Sequence, residues 1–243
     1  KRDVQKLSKS VTGLKLQNSD TSDCFCDICA SNKLNRKPAC SKTVPRKSSK
    51  LELVYSDVRG PMETTSLGGQ RYVVSFIDSY SRFARAYFMK KKSEVLNKFL
   101  QFCIDEGVPK SFASLTLRSD GGGEYNNKAF DEFCFAQGIR REMTAPYSPH
   151  QNVVAERRWQ TVGNMARCLL KQANLPNSFW VRAVDVAFYL TNRCLSSSLP
   201  PTKTPYELFY GRKPDLYNLK VFGCSAFRFL EVGVKKLDSK AVK

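Results

Sequence analysis

Three short apolar runs follow one another between Leu51 and Met89, each of strand length and each bounded by residues that turn a chain. Leu51 to Asp57 (LELVYSD) ends at Gly60-Pro61, while Arg71 to Asp78 (RYVVSFID) and Arg82 to Met89 (RFARAYFM) have Gly68-Gly69 and Ser79 to Ser81 for tight connections. Three strands in succession predict an antiparallel meander. After it the pattern alternates. Ser93 caps a helix over Glu94 to Glu106, in which Val95, Leu96, Phe99, Leu100, Cys103 and Ile104 recur at helical spacing and Gly107 supplies the stop. Ser114 to Ser119 reads as a fourth strand, Lys128 to Ala136 as a helix and Ile139 to Met143 as a fifth strand. The loop Thr144 to Asn152 holds Pro146 and Pro149, and helices follow over Val153 to Ala173 and from Asn177 or Ser178 through Asn192. Strands first in a meander and then alternating with helices give an α/β chain: a mixed sheet with helices on its faces.

Within that framework three acids stand out. Asp57 lies near the end of the first strand, Asp120 at the end of the fourth, and Glu156 in the opening turn of the helix after the Pro loop, with 35 residues between Asp120 and Glu156. If strands one and four are neighbours, both aspartates project at one sheet edge, and the helix can bring Glu156 over them. Like charges that close repel unless a cation neutralises them, and hard carboxylate oxygens select Mg²⁺ or Mn²⁺. A pair of such ions can activate water or a sugar hydroxyl for in-line attack at phosphorus. Each acid also has a local alternative: Asp57 can end a strand, Asp120-Gly121 can make a turn, and Glu156 can favour the positive end of its helix. His150 is the only histidine, which leaves little material for a Ser-His-Asp triad or a multi-histidine metal site.

Charge narrows the partner. Forty Lys and Arg against 22 Asp and Glu give +18 at pH 7 over 243 residues, which points to a polyanion such as nucleic acid, the alternative being a basic surface kept for solubility. At 42% hydrophobic and 12% aromatic residues the chain is expected to fold. No apolar stretch approaches membrane-spanning length and no secretory segment opens the chain, so it reads as soluble and intracellular. Nine scattered cysteines read mostly as buried thiols rather than a disulfide framework.

The text around the acids carries a resemblance. YSDVRGPM around Asp57, FIDSYSRF at 76–83, LRSDGGGEY around Asp120, and TAPYSPHQN at 144–152 running into VAERRWQT are together similar to the integrase core of copia-type LTR retrotransposons. The resemblance spans about residues 51–225 and implies an RNase H-like mixed β-sheet flanked by helices. It also implies a D,D-35-E active site at Asp57, Asp120 and Glu156, each both catalytic and metal-ligating, with two Mg²⁺ or Mn²⁺ ions. The activity it implies is that of a polynucleotidyl transferase, processing element DNA ends and joining them to target DNA, from a chain cut out of a Pol polyprotein. Double-stranded DNA, a homo-multimer and nuclear integration after a cytoplasmic stage are the corresponding partners and location, with no membrane.

The same resemblance divides the chain. Residues 1–50 are a basic remnant of an N-terminal zinc module plus linker, 51–175 the catalytic core, 176–212 a helical extension, and 213–243 the truncated start of a small β-barrel, with strands expected over Lys220 to Cys224 and Ala226 to Leu230. Cys26-Asp-Ile-Cys29 is similar to the cysteine half of a His-His-Cys-Cys zinc module whose histidine half is missing, so Cys26 and Cys29 supply two of four ligands and Zn²⁺ is expected only in a full-length parent. Tyr147, Ser148, His150, Gln151, Asn152, Arg157 and Arg158 are expected against DNA, and Trp159 and Trp180 in packing. One departure lies beside the acids: the family usually has Gly after His-Gln-Asn, whereas Val153 follows here. A β-branched residue there makes an impaired, DNA-binding integrase derivative one alternative. A general RNase H-like nuclease is the other.

Overall fold

The computed structural model describes residues 11–12, 47–107, 115–143 and 152–226, together with the backbone at 228–229 and 241–242. Strands β1 (Leu53–Arg59), β2 (Tyr72–Asp78) and β3 (Ala84–Met89) form the expected antiparallel meander. Strands β4 (Thr116–Ser119) and β5 (Arg140–Met143) add in parallel on the other side of β1, giving a five-stranded sheet in the order β3-β2-β1-β4-β5. The starts of β1 and β3 each lie two residues inside the expected ones, and Asp78 explains both. Its Oδ1 accepts the Leu51 N–H at 2.8 Å, holding Leu51 at φ +62 before β1 begins. Its Oδ2 accepts the Ser81 N–H at 2.7 Å in the turn that places Arg82 at φ +61, so β3 starts only at Ala84.

The period-two alternation of β1 sends its side chains to two separate cores. Val54, with Val74 and Phe76 of β2, packs against α1 (Val95–Asp105) and α2 (Lys128–Ala136). Leu53 and Tyr55 face the other way, onto α3 (Val153–Gln172) and α4 (Trp180–Arg193). Each helix is amphipathic in the spacing it buries: Val95, Phe99, Phe102 and Cys103 in α1, and Ala155, Trp159, Val162, Ala166 and Leu170 in α3. Helix α2 is capped by Asn127, whose side chain accepts the Phe130 N–H at 3.0 Å. A short helix α5 (Pro205–Tyr210) is capped by Thr204 and stopped by Gly211 at φ +75. Trp159 and Trp180 are both buried in the α3–α4 core, as expected of packing residues.

Beyond α5 the strand expected over Lys220 to Cys224 is a turn instead, closed by the Cys224 N–H on the Val221 carbonyl at 3.1 Å. Gly223 sits there at φ +78, where an added Cβ would collide with the Ala173 Cβ at the end of α3. The apolar run is used to dock on a helix rather than to enter a sheet. A two-residue pair, β6 (Arg228–Phe229) with β7 (Ala241–Val242), follows. Among the described residues no helix is long and apolar enough to cross a membrane.

Phe99 is fully buried among the rings of Phe76, Phe102, Phe130 and Phe133. Phe99→Ala is expected to destabilise the chain by about 3–5 kcal/mol, the usual cost of deleting a buried ring, read as a lowered urea midpoint with an unchanged m-value.

Candidate active site

Register places the first two acids. The parallel ladder pairs Val54 with Leu117 and Tyr55 with Arg118, so two residues further along Asp57 comes level with Asp120 on the neighbouring strand. Asp57 shares the face of Leu53 and Tyr55, and Asp120, continuing the alternation just past β4, shares the face opposite Leu117. Both therefore look toward the layer that contains α3. Strands lie about 4.8 Å apart, so the two carboxylates are neighbours by construction.

Glu156 arrives with the first turn of α3, which is fastened to β1 at the residue before Asp57: the buried Asn152 Nδ2 donates to the Ser56 carbonyl at 3.3 Å. A second fastening comes from the opposite core. The Tyr125 hydroxyl and Ser56 Oγ lie 2.5 Å apart, pinning the loop after Asp120 to β1. Within that loop Asp120 Oδ1 accepts the Gly122 N–H at 3.3 Å, and Gly122 in turn caps Tyr125 and Asn126 through its carbonyl. Ser56, Tyr125 and the structural role of Asn152 were not legible as site features, because each acts by a contact between segments far apart in sequence. Val153 is the first residue of α3 and is not at positive φ, so the backbone there demands nothing that Val resists.

Electrostatics tie the three acids together. Burial pushes Asp57 up from 3.8 to about 6; the Arg59 guanidinium opposes this, and Asp120 and then Glu156 add to the rise. Arg59 donates from Nε to Asp57 Oδ2 at 2.8 Å, so one oxygen of the most buried acid is taken by a cation from its own strand. Gly60 turns the chain immediately after; at φ +127 an added Cβ would lie 2.5 Å from the Arg71 carbonyl. Among the described residues no group of three or more His, Cys, Asp or Glu is drawn together closely enough to hold a metal ion. The donor set nonetheless fits a hard divalent ion in kind: all-oxygen ligands, net negative, with a desolvated carboxylate whose ionisation its acidic neighbours oppose.

A cavity of about 900 Å³ opens from Glu156 along α3, bordered by Arg59, Gln160, Asn164, Arg167 and Trp180. The Trp180 indole nitrogen on its wall is buried without an acceptor among the described residues. Arg157 is exposed on α3, but Arg158, expected beside the acids, turns into the α3–α4 packing instead. Its Nη2 donates to the Arg82 carbonyl at 2.6 Å and to Asn192 Oδ1 at 2.8 Å, and burial together with the Arg82 guanidinium pulls its pKa down to about 10. Tyr147, Ser148, His150 and Gln151 lie outside the described residues, as do Cys26 and Cys29. Of the described thiols Cys103 and Cys134 are buried and pushed up to about 12 and about 11 by desolvation, while Cys224 is exposed, so the buried-thiol expectation holds for only some of them.

A central β1 flanked by a meander on one side and two parallel strands on the other, with acids at adjacent strand ends and on the helix crossing them, defines the RNase H-like class of integrase cores. The integrase core domain family model matches residues 49–149. The chain is 40% identical over 221 residues to the retrovirus-related Pol polyprotein from transposon TNT 1-94 of Nicotiana tabacum, covering 89% of this chain and 16% of that one. It is 33% identical over 220 residues to the Pol polyprotein from transposon RE2 of Arabidopsis thaliana, covering 89% of this chain and 15% of that one. Residues 49–149 thus carry a match to the integrase core domain, and the chain is similar over 89% of its length to retrotransposon Pol polyproteins, of which it spans about a sixth. Among solved structures it is similar to the simian T-cell lymphotropic virus intasome in complex with PP2A regulatory subunit B56 gamma, at TM-score 0.57 and 18% identity over 90% of this chain and 75% of that one. The HTLV-2 integrase catalytic core in complex with magnesium, in trimeric form, gives TM-score 0.52 and 21% identity over 68% of this chain and 99% of that one. At such identities these two establish the fold.

Because Asp57 is raised when folded, its protonated form stabilises the chain fully below the unfolded value of 3.8, and that contribution is lost as pH rises through about 6. In chelator-containing buffer Asp57→Asn is expected to remove this loss. The difference in Tm between variant and parent should move in the variant's favour across that window, by thermal melts at each pH.

Proposed function

We propose that the chain is the catalytic region of a retrotransposon integrase, a metal-dependent polynucleotidyl transferase that trims element DNA ends and joins them to target DNA. The observation that carries this reading is the level placement of Asp57 and Asp120 on adjacent strand ends, with Glu156 close enough for all three to share one field. Asp57, Asp120 and Glu156 are the residues that would hold Mg²⁺ or Mn²⁺. Bound there, such ions supply Lewis-acid polarisation of a phosphodiester and an activated water or 3′-hydroxyl. The chain's own part is placement. β1 carries Asp57 and β4 leads into Asp120, while the Asn152 contact to the Ser56 carbonyl ties the start of the helix that carries Glu156 to β1. Arg59 balances Asp57 in the absence of another cation.

The cavity running from Glu156 suits a DNA strand, with Gln160, Asn164 and Arg167 as hydrogen-bonding and charged contacts to phosphates, which orient a duplex without reading its sequence. Arg157 and the loop residues Tyr147, Ser148, His150 and Gln151, which lead directly into α3, complete the proposed DNA contacts. Residues 51–175 form the proposed catalytic unit, 176–212 its helical extension and 213–243 the start of a further domain. Residues 1–50 are the proposed remnant of a zinc module, with Cys26 and Cys29 ligating Zn²⁺ only where a parent chain supplies the other two. A homo-multimer on DNA, acting in the nucleus, completes the reading.

Arg59 on Asp57 favours one second reading: a DNA-binding integrase derivative impaired in catalysis. One assay separates the two. With a labelled element-end duplex and Mg²⁺ or Mn²⁺, joined product is expected from the parent chain. Asp120→Asn should lower it by at least roughly 100-fold, since metal-borne stabilisation of the reacting phosphate is worth several kcal/mol. Equal product from both proteins would remove the acids from the mechanism. Salt-sensitive DNA binding with no joined product from either would establish the second reading, and cleavage without joining would mark a general nuclease.

A further inference from the structure

Arg59 stands between the acids and the cavity along α3. Residues two apart on a strand share a face, so Arg59 lies on the side of β1 that carries Leu53, Tyr55 and Asp57. From there its Nε donates to Asp57 Oδ2 at 2.8 Å, and its side chain also borders the cavity of about 900 Å³ that opens from Glu156. The backbone around it is held on both sides. Arg59 pairs with Val73 of β2, and beyond Gly60, which packs against the Arg71 carbonyl, the Met62 N–H donates to that same carbonyl at 2.8 Å. Any movement of the guanidinium is therefore a rotation of its own side chain.

The two partners are unequal in their need of each other. Asp57 is only 6% exposed, and Asp120 and Glu156 oppose its ionisation, so its charged form depends on a cation beside it. The Arg59 side chain is 43% exposed and spends a single N–H on the pair; its other N–H groups have no acceptor among the described residues. A guanidinium that keeps much of its water loses little by changing partner, whereas a divalent ion on the same carboxylate sets a double positive charge against it. Arg59 and such an ion compete for Asp57. Within the cavity Arg167 already donates to Asn164, and Glu156 belongs with the other two acids. That leaves a released Arg59 fork with Glu63 or with a phosphate, and a phosphate offers it two oxygens at once.

We propose that Arg59 is a transferable counter-ion: it sits on Asp57 while no divalent ion is bound, and passes to a phosphate of a DNA strand in the cavity when an ion takes its place. The handover presupposes the integrase reading of the three acids and couples their metal to DNA. Coupling of this kind is reciprocal, so a metal that frees Arg59 for DNA is itself bound more tightly once DNA holds Arg59. Arg59 then contributes to DNA affinity only in the metal-loaded chain. A fixed phosphate contact contributes in both states, and a mere strut for β1 in neither.

The test compares the full chain with Arg59→Gln and Arg167→Gln, with Mn²⁺ alone as the first probe and binding read by calorimetry. Both replaced side chains are exposed wholly or in part, so both variants should melt close to the parent. Arg59→Gln is expected to bind Mn²⁺ at least roughly 5-fold more tightly than the parent, the low end of ordinary couplings between sites. Arg167→Gln removes the same charge about three turns, or roughly 16 Å, further along α3, beyond a Debye length, and should stay within about 2-fold of the parent. The second probe is duplex DNA closed at both ends by hairpins, which offers no end to trim. The slope of log K against log salt is expected to be shallower in Arg59→Gln than in the parent by about 0.9 with saturating Mn²⁺, and unchanged with chelator. Equal Mn²⁺ affinity in the parent and Arg59→Gln, an equal gain in Arg167→Gln, or a slope difference that is the same with and without metal overturns the handover. Loss of Mn²⁺ binding in Asp120→Asn alongside any of these leaves the integrase reading standing. Failure of both the parent and Arg59→Gln to bind Mn²⁺ overturns the two together.

Discussion

The parallel pairing of β1 with β4 is the constraint on which the rest depends. Its register brings Asp57 level with Asp120, its alternation turns both toward α3, and its position at the centre of the sheet buries the strand on both faces. A slip by one residue would send Asp57 into the aromatic core of Phe76, Phe99 and Phe130 and bring Ser56 to the acids' face. The two cores on either side make such a slip costly, since Val54 and Tyr55 would have to exchange environments. The geometry of the acids is thus a by-product of hydrophobic registration, and needs no specific contact between them.

Ser56 shows how that registration becomes placement. Its hydroxyl meets Tyr125 from the α1–α2 side, and its carbonyl receives Asn152 from the α3 side. One residue, adjacent to Asp57, therefore fixes both the loop behind Asp120 and the helix carrying Glu156. Neutral hydrogen bonds suit this role in a buried setting, because they impose direction without adding charge beside the acids. The Arg59 contact adds the one direct charge partner: the strand's own guanidinium opposes the rise that burial imposes on Asp57.

Much of this was readable from the amino-acid order. Strand and helix positions followed from period-two and 3.6-residue spacing, with boundaries displaced by one to three residues, at β1 and β3 because Asp78 recruits backbone N–H groups at Leu51 and Ser81. The acids were found by their motif contexts. What the order concealed was directional. Arg158 looked like a neighbour of the acids because it is two residues from Glu156, yet two steps along a helix turn a side chain by about 200°. Lys220 to Cys224 looked like a strand because it is a short apolar run, yet Gly223, tight against Ala173 at positive φ, bends the run into a turn. Both depend on what lies opposite, which spacing within a segment does not encode.

That rotation along α3 also accounts for how one helix serves two charge environments. Glu156 looks to the acids and to the cavity bordered by Gln160, Asn164 and Arg167, while Arg158 looks to the cleft over Arg82 and Asn192. Between them Ala155, Trp159, Val162 and Ala166 form the buried stripe that anchors the helix to the sheet, with the Trp159 indole donating to Ser75 Oγ at 3.1 Å. The apolar stripe keeps the negative and positive sites from neutralising each other. A direct Glu156–Arg158 pair would have tied the two faces of the helix to each other. Helical geometry forbids that pairing at a separation of two residues, so the charge separation across α3 is enforced by the backbone itself.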